Sequence, residues 1–167
     1  MTGEDCAPAP DASAVEFAAW VGPHLAAMNH LAARLVAPAD REDVVQESLV
    51  RAWRRRSTYD ATRGSAPGWL LAIVSDQARR RRTRMRPPVV VLEESDGAVV
   101  DSSRDIDLER AIAQLSHRRR LAVNLHYFVG LDVASCAEVM GCAEGTVKAT
   151  LHQARAQLLV LLDDGSQ

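Results

Sequence analysis

The pair Pro87-Pro88 is the sequence feature that most constrains the fold, because it separates two groups of helical patterns. Proline cannot continue a helix, and the residues after the pair are rich in Pro, Ser, Gly and acids, so we expect a flexible acidic linker over residues 87–104. On either side Ala, Leu and Arg are abundant and aromatic residues are only 4% of the chain, which favours helices over sheets. The sequence predicts an all-α protein with two small helical domains.

Apolar periodicity places several helices in each predicted domain. Residues 1–10 are expected to form a disordered tail. The N-terminal domain, 11–86, should hold a short helix, a break near Gly22-Pro23, a helix to about Val36, a helix with Asp40 as N-cap, and a last helix that Pro87 stops. The C-terminal domain, 105–163, should hold helices at about 105–115, 117–128, 132–140 and 144–162.

Charge is distributed unevenly along the chain. The formal net charge of −2 argues against a simple nucleic-acid sponge, yet residues 34–86 carry a net +7 and residues 87–107 a net −5. Nineteen of the cations are Arg and one is Lys. Arg suits phosphate recognition, although codon bias in a GC-rich genome explains its total equally well. The clustering of Arg, rather than its number, points to a basic surface.

Several function classes find no support in the sequence. Cys6, Cys136 and Cys142 form no CxxC pair, and buried thiols are favoured over a Cys/His metal site. The five His residues are dispersed, and there is no Gly-rich phosphate loop, so we expect neither an enzyme nor a cofactor or metal. Without a signal peptide or a long apolar run, a reduced, cytoplasmic protein is expected.

The segment from Gly130 to Arg155, GLDVASCAEVMGCAEGTVKATLHQAR, has the pattern of a helix-turn-helix. Asp132 is placed to cap one helix that ends at Gly141, and a second helix starts near Glu144. In such a unit the second helix enters the major groove with its N-terminal residues at base edges. An ordinary helical hairpin is the alternative.

Together with EDVVQESLVRAW and GWLLAIV upstream, this segment resembles extracytoplasmic-function (ECF) sigma factors of bacterial RNA polymerase. The resemblance runs from about Val15 to Leu162, with two independent motifs in the expected order. It implies a protein that binds core RNA polymerase and directs it to promoter DNA, with an anti-sigma factor as a further partner. It also implies that the acidic linker enters polymerase channels that otherwise hold nucleic acid. A stand-alone helix-turn-helix regulator is the alternative function, and a helical interaction protein without promoter activity a third.

The resemblance assigns roles to residues of the N-terminal domain. Core-polymerase binding falls on Asp43, Val44, Gln46, Glu47 and Arg51. Recognition and melting of the −10 element falls on Tyr59, Arg63, Ser65, Asp76, Arg79 and Arg80. The family usually has Asn where this chain has Asp76, and a carboxylate there should favour a donor such as the cytosine amino group. The alternative for Asp76 is a solvated charge near Arg79 and Arg80.

The resemblance places −35 recognition on the second helix of the helix-turn-helix. The candidate residues are Gly145, Thr146, Lys148, Thr150, His152, Gln153 and Arg155. The family commonly has Arg at the positions of Thr150 and Gln153. Because each lost phosphate contact weakens DNA binding, we expect a −35 grip weaker than that of relatives.

Overall fold

The computed structural model describes residues 13–84 and 103–164. The predicted tail, 1–10, and most of the predicted linker, 87–104, lie outside these residues. The chain divides into two compact units, Met1–Val90 and Val91–Gln167. Within the described ranges the regular structure is helical and includes no strand, which confirms the all-α prediction.

The N-terminal unit contains α1 (Ala14–Val21), α2 (Leu25–Leu35), α3 (Arg41–Arg55) and α4 (Ala66–Arg84). A capping box starts α1: the Ser13 hydroxyl accepts from the Glu16 backbone, and the Glu16 carboxylate accepts from the Ser13 N–H at 2.7 Å. The predicted break is a single 3₁₀ turn, Gly22–His24, with Pro23 near its start. Helices α2, α3 and α4 pack together around a core of fully buried Met28, Leu31, Val44, Leu70 and Val74.

Asp40 occupies the predicted N-cap position of α3 but does not cap the helix with its side chain. Asp40 has helical backbone angles (φ −99°, ψ −9°), and its side chain makes no capping hydrogen bond. Its Oδ1 instead accepts from the guanidinium of Arg81, 41 positions away on α4. The Asp40 carboxylate, which the local sequence predicted to cap α3, therefore forms a long-range ion pair instead.

The C-terminal unit contains α5 (Ser103–Gln114), α6 (His117–Val123), α7 (Val133–Met140) and α8 (Glu144–Asp164). A π-helical turn, Asn124–Phe128, extends α6. Helix α5 begins two residues inside the predicted linker. Helices α5, α6 and α7 all pack on α8, around a core that includes Ile112, Leu115, Val123 and Ala154.

The predicted helix-turn-helix is present in α7 and α8. Asp132 caps α7 by accepting from the Ser135 N–H at 2.7 Å. Gly141 ends α7 with φ +60°, a left-handed conformation that glycine adopts without strain. Two residues, Cys142 and Ala143, then connect Gly141 to the second helix, so α8 starts where the sequence predicted.

Candidate functional site

Three of the residues predicted to bind polymerase form an exposed polar surface on α3. Asp43, Gln46 and Glu47 are all exposed, and we call them the outer α3 face. Gln46 Nε2 donates to Glu42 Oε1 at 3.0 Å, one turn earlier on the same helix. These side chains lie opposite the buried side of α3, so they are available to a charged partner.

Val44 was predicted as a polymerase contact, and the structure contradicts this assignment. Its side chain is 0% exposed and lies in the core of the N-terminal unit. The reason is helical geometry: Val44 shares the buried stripe with Val45, Ser48 and Ala52, while its chain neighbour Asp43 faces solvent. Val44 therefore supports the outer α3 face from inside.

Arg51 was predicted to bind polymerase, but its guanidinium also contacts a carboxylate within the N-terminal unit. Its Nη2 lies 3.6 Å from Asp76 Oδ2 on α4, and both side chains are less than one-third exposed. Asp76 further accepts from Arg79 Nη2 at 2.7 Å and from Arg80 Nε at 2.9 Å. Three guanidiniums thus surround one carboxylate. The contacts with Arg79 and Arg80 match the alternative proposed for Asp76 from spacing, whereas the contact with Arg51 was not predicted.

This arrangement controls the ionisation of Asp76. Partial burial opposes its ionisation, but the hydrogen bonds from Arg79 and Arg80 outweigh burial and hold the pKa of Asp76 below its ordinary value. Asp76 therefore stays negative at neutral pH. It neutralises part of the charge of the basic end of α4 and fixes two of its arginines along the helix surface.

Sequence reasoning missed the role of Arg81. Its guanidinium donates to Asp40 Oδ1 at 2.8 Å and to Asp43 Oδ2 at 3.1 Å. Three hydrogen bonds to acids 38 and 41 positions away show that Arg81 joins α4 to the start of α3. The only signal in the sequence was the run Arg79–Arg82, in which no single member stands out.

Tyr59 was predicted to offer its ring to an unstacked base, and the structure contradicts this. The side chain is 7% exposed. Its ring centroid lies 5.3 Å from that of Trp20 and 5.5 Å from that of Trp69, and its hydroxyl donates to the Gly64 carbonyl at 3.3 Å. Because its ring packs against these two indole rings, Tyr59 is buried and stabilises the loop between α3 and α4.

The other two predicted residues of this loop differ in exposure. Arg63 is exposed beside the Asp60–Thr62 turn, in which Asp60 Oδ1 accepts from the Thr62 N–H at 2.9 Å. Ser65 is half-buried, and its hydroxyl accepts from the Gly68 N–H at 3.2 Å at the start of α4. Arg63 is therefore the member of the predicted set that this loop presents to a ligand.

Helix α8 divides cleanly into a buried and an exposed side. Val147, Leu151 and Ala154 are buried against the unit. The predicted DNA-contacting residues on the outer side are exposed: Gly145, Thr146, Lys148, His152, Gln153 and Arg155. Lys148 Nζ lies 3.8 Å from Glu144 Oε2, a loose, solvent-exposed pair that leaves the ammonium accessible.

Gly145 is not required for packing within the chain. A Cβ built at this position meets no atom within 4 Å. The packing of α8 therefore does not explain the glycine. Its small size leaves the first turn of α8 open on the solvent side, where a large ligand can approach the backbone closely.

Thr150 was predicted as a DNA contact, but it belongs to the interior. It is 8% exposed, and its Oγ1 donates to the Thr146 carbonyl at 2.7 Å. A hydroxyl so close to the preceding turn usually makes this bond in helices. Thr150 therefore stabilises the inner side of α8.

A basic residue outside the predicted set lies beside Gln153. Arg119 of α6 donates from Nη2 to Gln153 Oε1 at 3.2 Å and from Nη1 to Gln157 Oε1 at 3.0 Å. Sequence alone offered no signal for this contact, since 34 and 38 positions separate the partners. The structure thus brings a guanidinium to a helix surface from which the family's arginines are absent.

The described cysteines differ in environment. Cys136 is buried, and desolvation raises the pKa of its thiol to about 11, with help from the nearby Asp132 charge. Cys142 is half-buried in the turn of the helix-turn-helix. Within 13–84 and 103–164, no cluster of three or more His, Cys, Asp or Glu side chains is arranged to hold a metal ion.

Comparison with known families matches both units. The family model for sigma-70 region 2 matches residues 17–86, and that for sigma-70 region 4 matches residues 105–158. Both models describe regions of one class of protein, the sigma-70 factors. The helices of the N-terminal unit thus correspond to region 2, and the helix-turn-helix unit corresponds to region 4.

Similar curated proteins refine this class. ECF RNA polymerase sigma factor SigL of Mycobacterium tuberculosis is 33% identical over 151 residues, which span 84% of this chain and 85% of SigL. ECF RNA polymerase sigma factor SigF of Caulobacter vibrioides is 35% identical over 126 residues, or 71% of this chain and 68% of SigF. The chain belongs to the ECF sigma factors of the sigma-70 family. This membership favours a polymerase subunit over a stand-alone helix-turn-helix regulator.

Solved structures support the same fold. CnrH, solved in complex with the cytosolic domain of CnrY, superposes with a TM-score of 0.71 at 24% identity, covering 94% of both chains. The sigma factor RpoE from Bartonella quintana, solved with the anti-sigma factor NepR, gives a TM-score of 0.67 at 25% identity. That match covers 89% of this chain and 97% of RpoE. The described helices include none long and apolar enough to cross a membrane.

Proposed function

We propose that the outer α3 face binds the coiled-coil clamp of the polymerase largest subunit. Asp43, Gln46 and Glu47 are exposed together on a helix whose opposite side is packed, so the backbone that carries them is fixed before binding. Pre-ordered polar groups lose little entropy when they meet a charged partner. Arg51 flanks this surface from its position beside Asp76.

Promoter contacts at the −10 element fall on the exposed arginines of the same unit. Arg63 lies in the loop before α4, and Arg79 and Arg80 lie exposed near the end of α4. Asp76 orients both of these arginines and lowers the net charge of the surface.

The outer side of α8 is the proposed −35 contact surface. The single observation that carries this function is the separation of α8 into a packed side and an exposed side that holds Lys148, His152 and Arg155. A helix presented by a helix-turn-helix in this way fits the major groove. Lys148 and Arg155 are the only Lys and Arg among these exposed residues. The outer side of α8 therefore supplies part of the affinity for promoter DNA, and polymerase binding supplies the rest.

Regulation by an anti-sigma factor in the cytoplasm completes the proposal. RpoE, which covers most of this chain in superposition, was solved with an anti-sigma factor. An inhibitor of this kind would act by covering the outer α3 face or the outer side of α8. The catalytic chemistry of transcription belongs to the polymerase in this scheme.

In vitro transcription with core polymerase and a pool of genomic fragments tests the function. We expect promoter-specific transcripts that depend on the added protein. The variant Glu47→Gln should weaken polymerase binding, while Asp163→Asn, which removes one charge from the exposed end of α8, should leave it unchanged. An intact holoenzyme without specific transcripts would refute the promoter role, and no association with core polymerase would refute the sigma-factor role.

A further inference from the structure

Arg119 of α6 makes two hydrogen bonds to α8, the second helix of the helix-turn-helix. Its Nη1 donates to Gln157 Oε1 at 3.0 Å, and its Nη2 donates to Gln153 Oε1 at 3.2 Å. The two glutamines are one helical turn apart on α8, so a planar guanidinium can reach both amides at once. Gln153 is exposed, and Gln157 and Arg119 are half-buried.

The chemistry of this contact fixes the orientation of the Gln153 amide. A guanidinium has only N–H donors, so each glutamine must present its oxygen to Arg119. The NH₂ group of Gln153 then points away from Arg119. Gln157 acts as a second acceptor that holds the guanidinium in place.

We propose that Arg119 is a positioning residue that turns Gln153 into a hydrogen-bond donor toward the base it faces. This inference rests on the proposed −35 role of α8. A free glutamine side chain pairs with adenine by donating to N7 and accepting from N6–H₂. With its oxygen held by Arg119, Gln153 instead matches an edge that has only acceptors, as guanine does with N7 and O6.

The inference therefore assigns a base preference to one contact. Gln153 should favour guanine over adenine when Arg119 is present. When the guanidinium is removed, the freed oxygen should accept from the adenine amino group, and the preference should shift toward adenine. Because bidentate pairing discriminates between bases by about 1–3 kcal/mol, the guanine-to-adenine ratio should change by at least about fivefold.

Selection from a DNA pool with a randomised upstream element tests this. The full-length protein in complex with core polymerase is compared with Arg119→Met, which keeps the apolar stem but has no donors. Arg118→Met, which removes a neighbouring exposed arginine of α6 and leaves the bond between Arg119 and Gln153 in place, serves as the matched control. We expect a shift from guanine to adenine at one position for Arg119→Met and an unchanged preference for the control.

A second variant keeps the test decisive if Arg119→Met lowers stability. Gln153→Glu retains an oxygen for Arg119 and removes the NH₂ donor, so the fold should be kept while the guanine preference is lost. Thermal melting followed by circular dichroism checks folding of each variant. Retention of the guanine preference by a folded Gln153→Glu variant would overturn the inference.

The remaining outcomes separate this inference from the proposed function. If the wild-type holoenzyme selects no upstream sequence, the −35 role of α8 fails, and the inference fails with it. If the wild type selects a sequence and Arg119→Met selects the same one, only the role of Arg119 fails. Uniform weakening with a shallower salt dependence would make Arg119 a phosphate contact and would likewise overturn the inference.

Discussion

Arg81 and Asp40 form a paired contact across the N-terminal unit, with Nη2 and Nε of Arg81 donating to the same Asp40 oxygen at 2.8 and 3.0 Å. Asp43, a member of the outer α3 face, accepts from the same guanidinium at 3.1 Å. Arg81 therefore holds the start of α3 against α4. It links the proposed polymerase contact to the basic helix proposed to touch the −10 element.

Loss of this link should lower the thermal stability of the N-terminal unit. We expect Arg81→Met to reduce Tm, whereas Arg84→Met, at the exposed end of α4, should leave it nearly unchanged. The double variant with Asp40→Asn should lose less than the sum of the single changes, because both remove the same contact. Calorimetry of all variants measures this, and fully additive losses would contradict the coupling.

Asp76 should make stability depend on pH. Its folded pKa lies below the unfolded value of 3.8, so its stabilising effect is present above about pH 4 and is lost as pH falls through the folded pKa. Asp76→Asn should therefore destabilise the protein more at pH 7 than at about pH 3. Urea denaturation at both pH values measures this. An equal deficit at both would show that the carboxylate charge plays no part.

The same variant addresses promoter preference. Asp76 is engaged by Arg51, Arg79 and Arg80, so its direct reading of a base requires displacement of at least one arginine. We expect Asp76→Asn to alter affinity through the released arginines. Selection from randomised −10 elements measures the preference, and an unchanged preference would refute the hypothesis that Asp76 favours a cytosine amino group.

Substitutions at Val44 and Glu47 should have different effects, the first on stability and the second on polymerase binding. Val44→Ala opens a cavity in a packed core and should cost about 2 kcal/mol of unfolding free energy. Glu47→Ala changes an exposed position and should weaken polymerase binding with the fold intact. Urea denaturation and a pull-down with core polymerase measure the two effects. A folded Val44→Ala protein with selectively lost binding would restore the direct contact that the structure rejects.

Replacement of Gly145 by alanine should raise stability and weaken DNA binding. Gly145→Ala places a methyl group in open space and improves helix propensity, so stability should rise by about 0.5–1 kcal/mol. The same methyl would obstruct close approach to a groove, so −35 binding should weaken. Denaturation and fluorescence anisotropy of the holoenzyme with promoter DNA measure both quantities. Undiminished binding would show that the first turn of α8 stays clear of DNA.

Of the two described cysteines, Cys136 should react more slowly with an alkylating reagent. A rise of its pKa from 9.0 to about 11 lowers the thiolate fraction about a hundredfold at pH 8, and burial restricts access further. In a Cys6→Ser background, iodoacetamide should label Cys142 first. Mass spectrometry of partly labelled protein checks this. Equal labelling rates in the folded protein would contradict the buried environment of Cys136.

Local features of the sequence determined most of the helical architecture. The break at Pro23, the cap at Asp132 and the stop at Gly141 each depend on a few neighbouring residues, so their outcome follows from backbone geometry and nearby hydrogen bonds. The same holds for Asp76 with Arg79 and Arg80, because one helical turn joins them. These features were predicted and are present.

Only the tertiary structure decided which side chains face a partner. Tyr59 and Thr150 are polar enough for a surface and are buried, because aromatic neighbours in one case and a preceding carbonyl in the other satisfy them. Arg81 and Arg119 gained roles from partners 34 to 41 positions away. Periodicity and spacing act over one or two helical turns, whereas these contacts depend on how whole helices pack. The sequence by itself therefore determined the helices and the family, and packing determined which side chains remain available for polymerase and DNA.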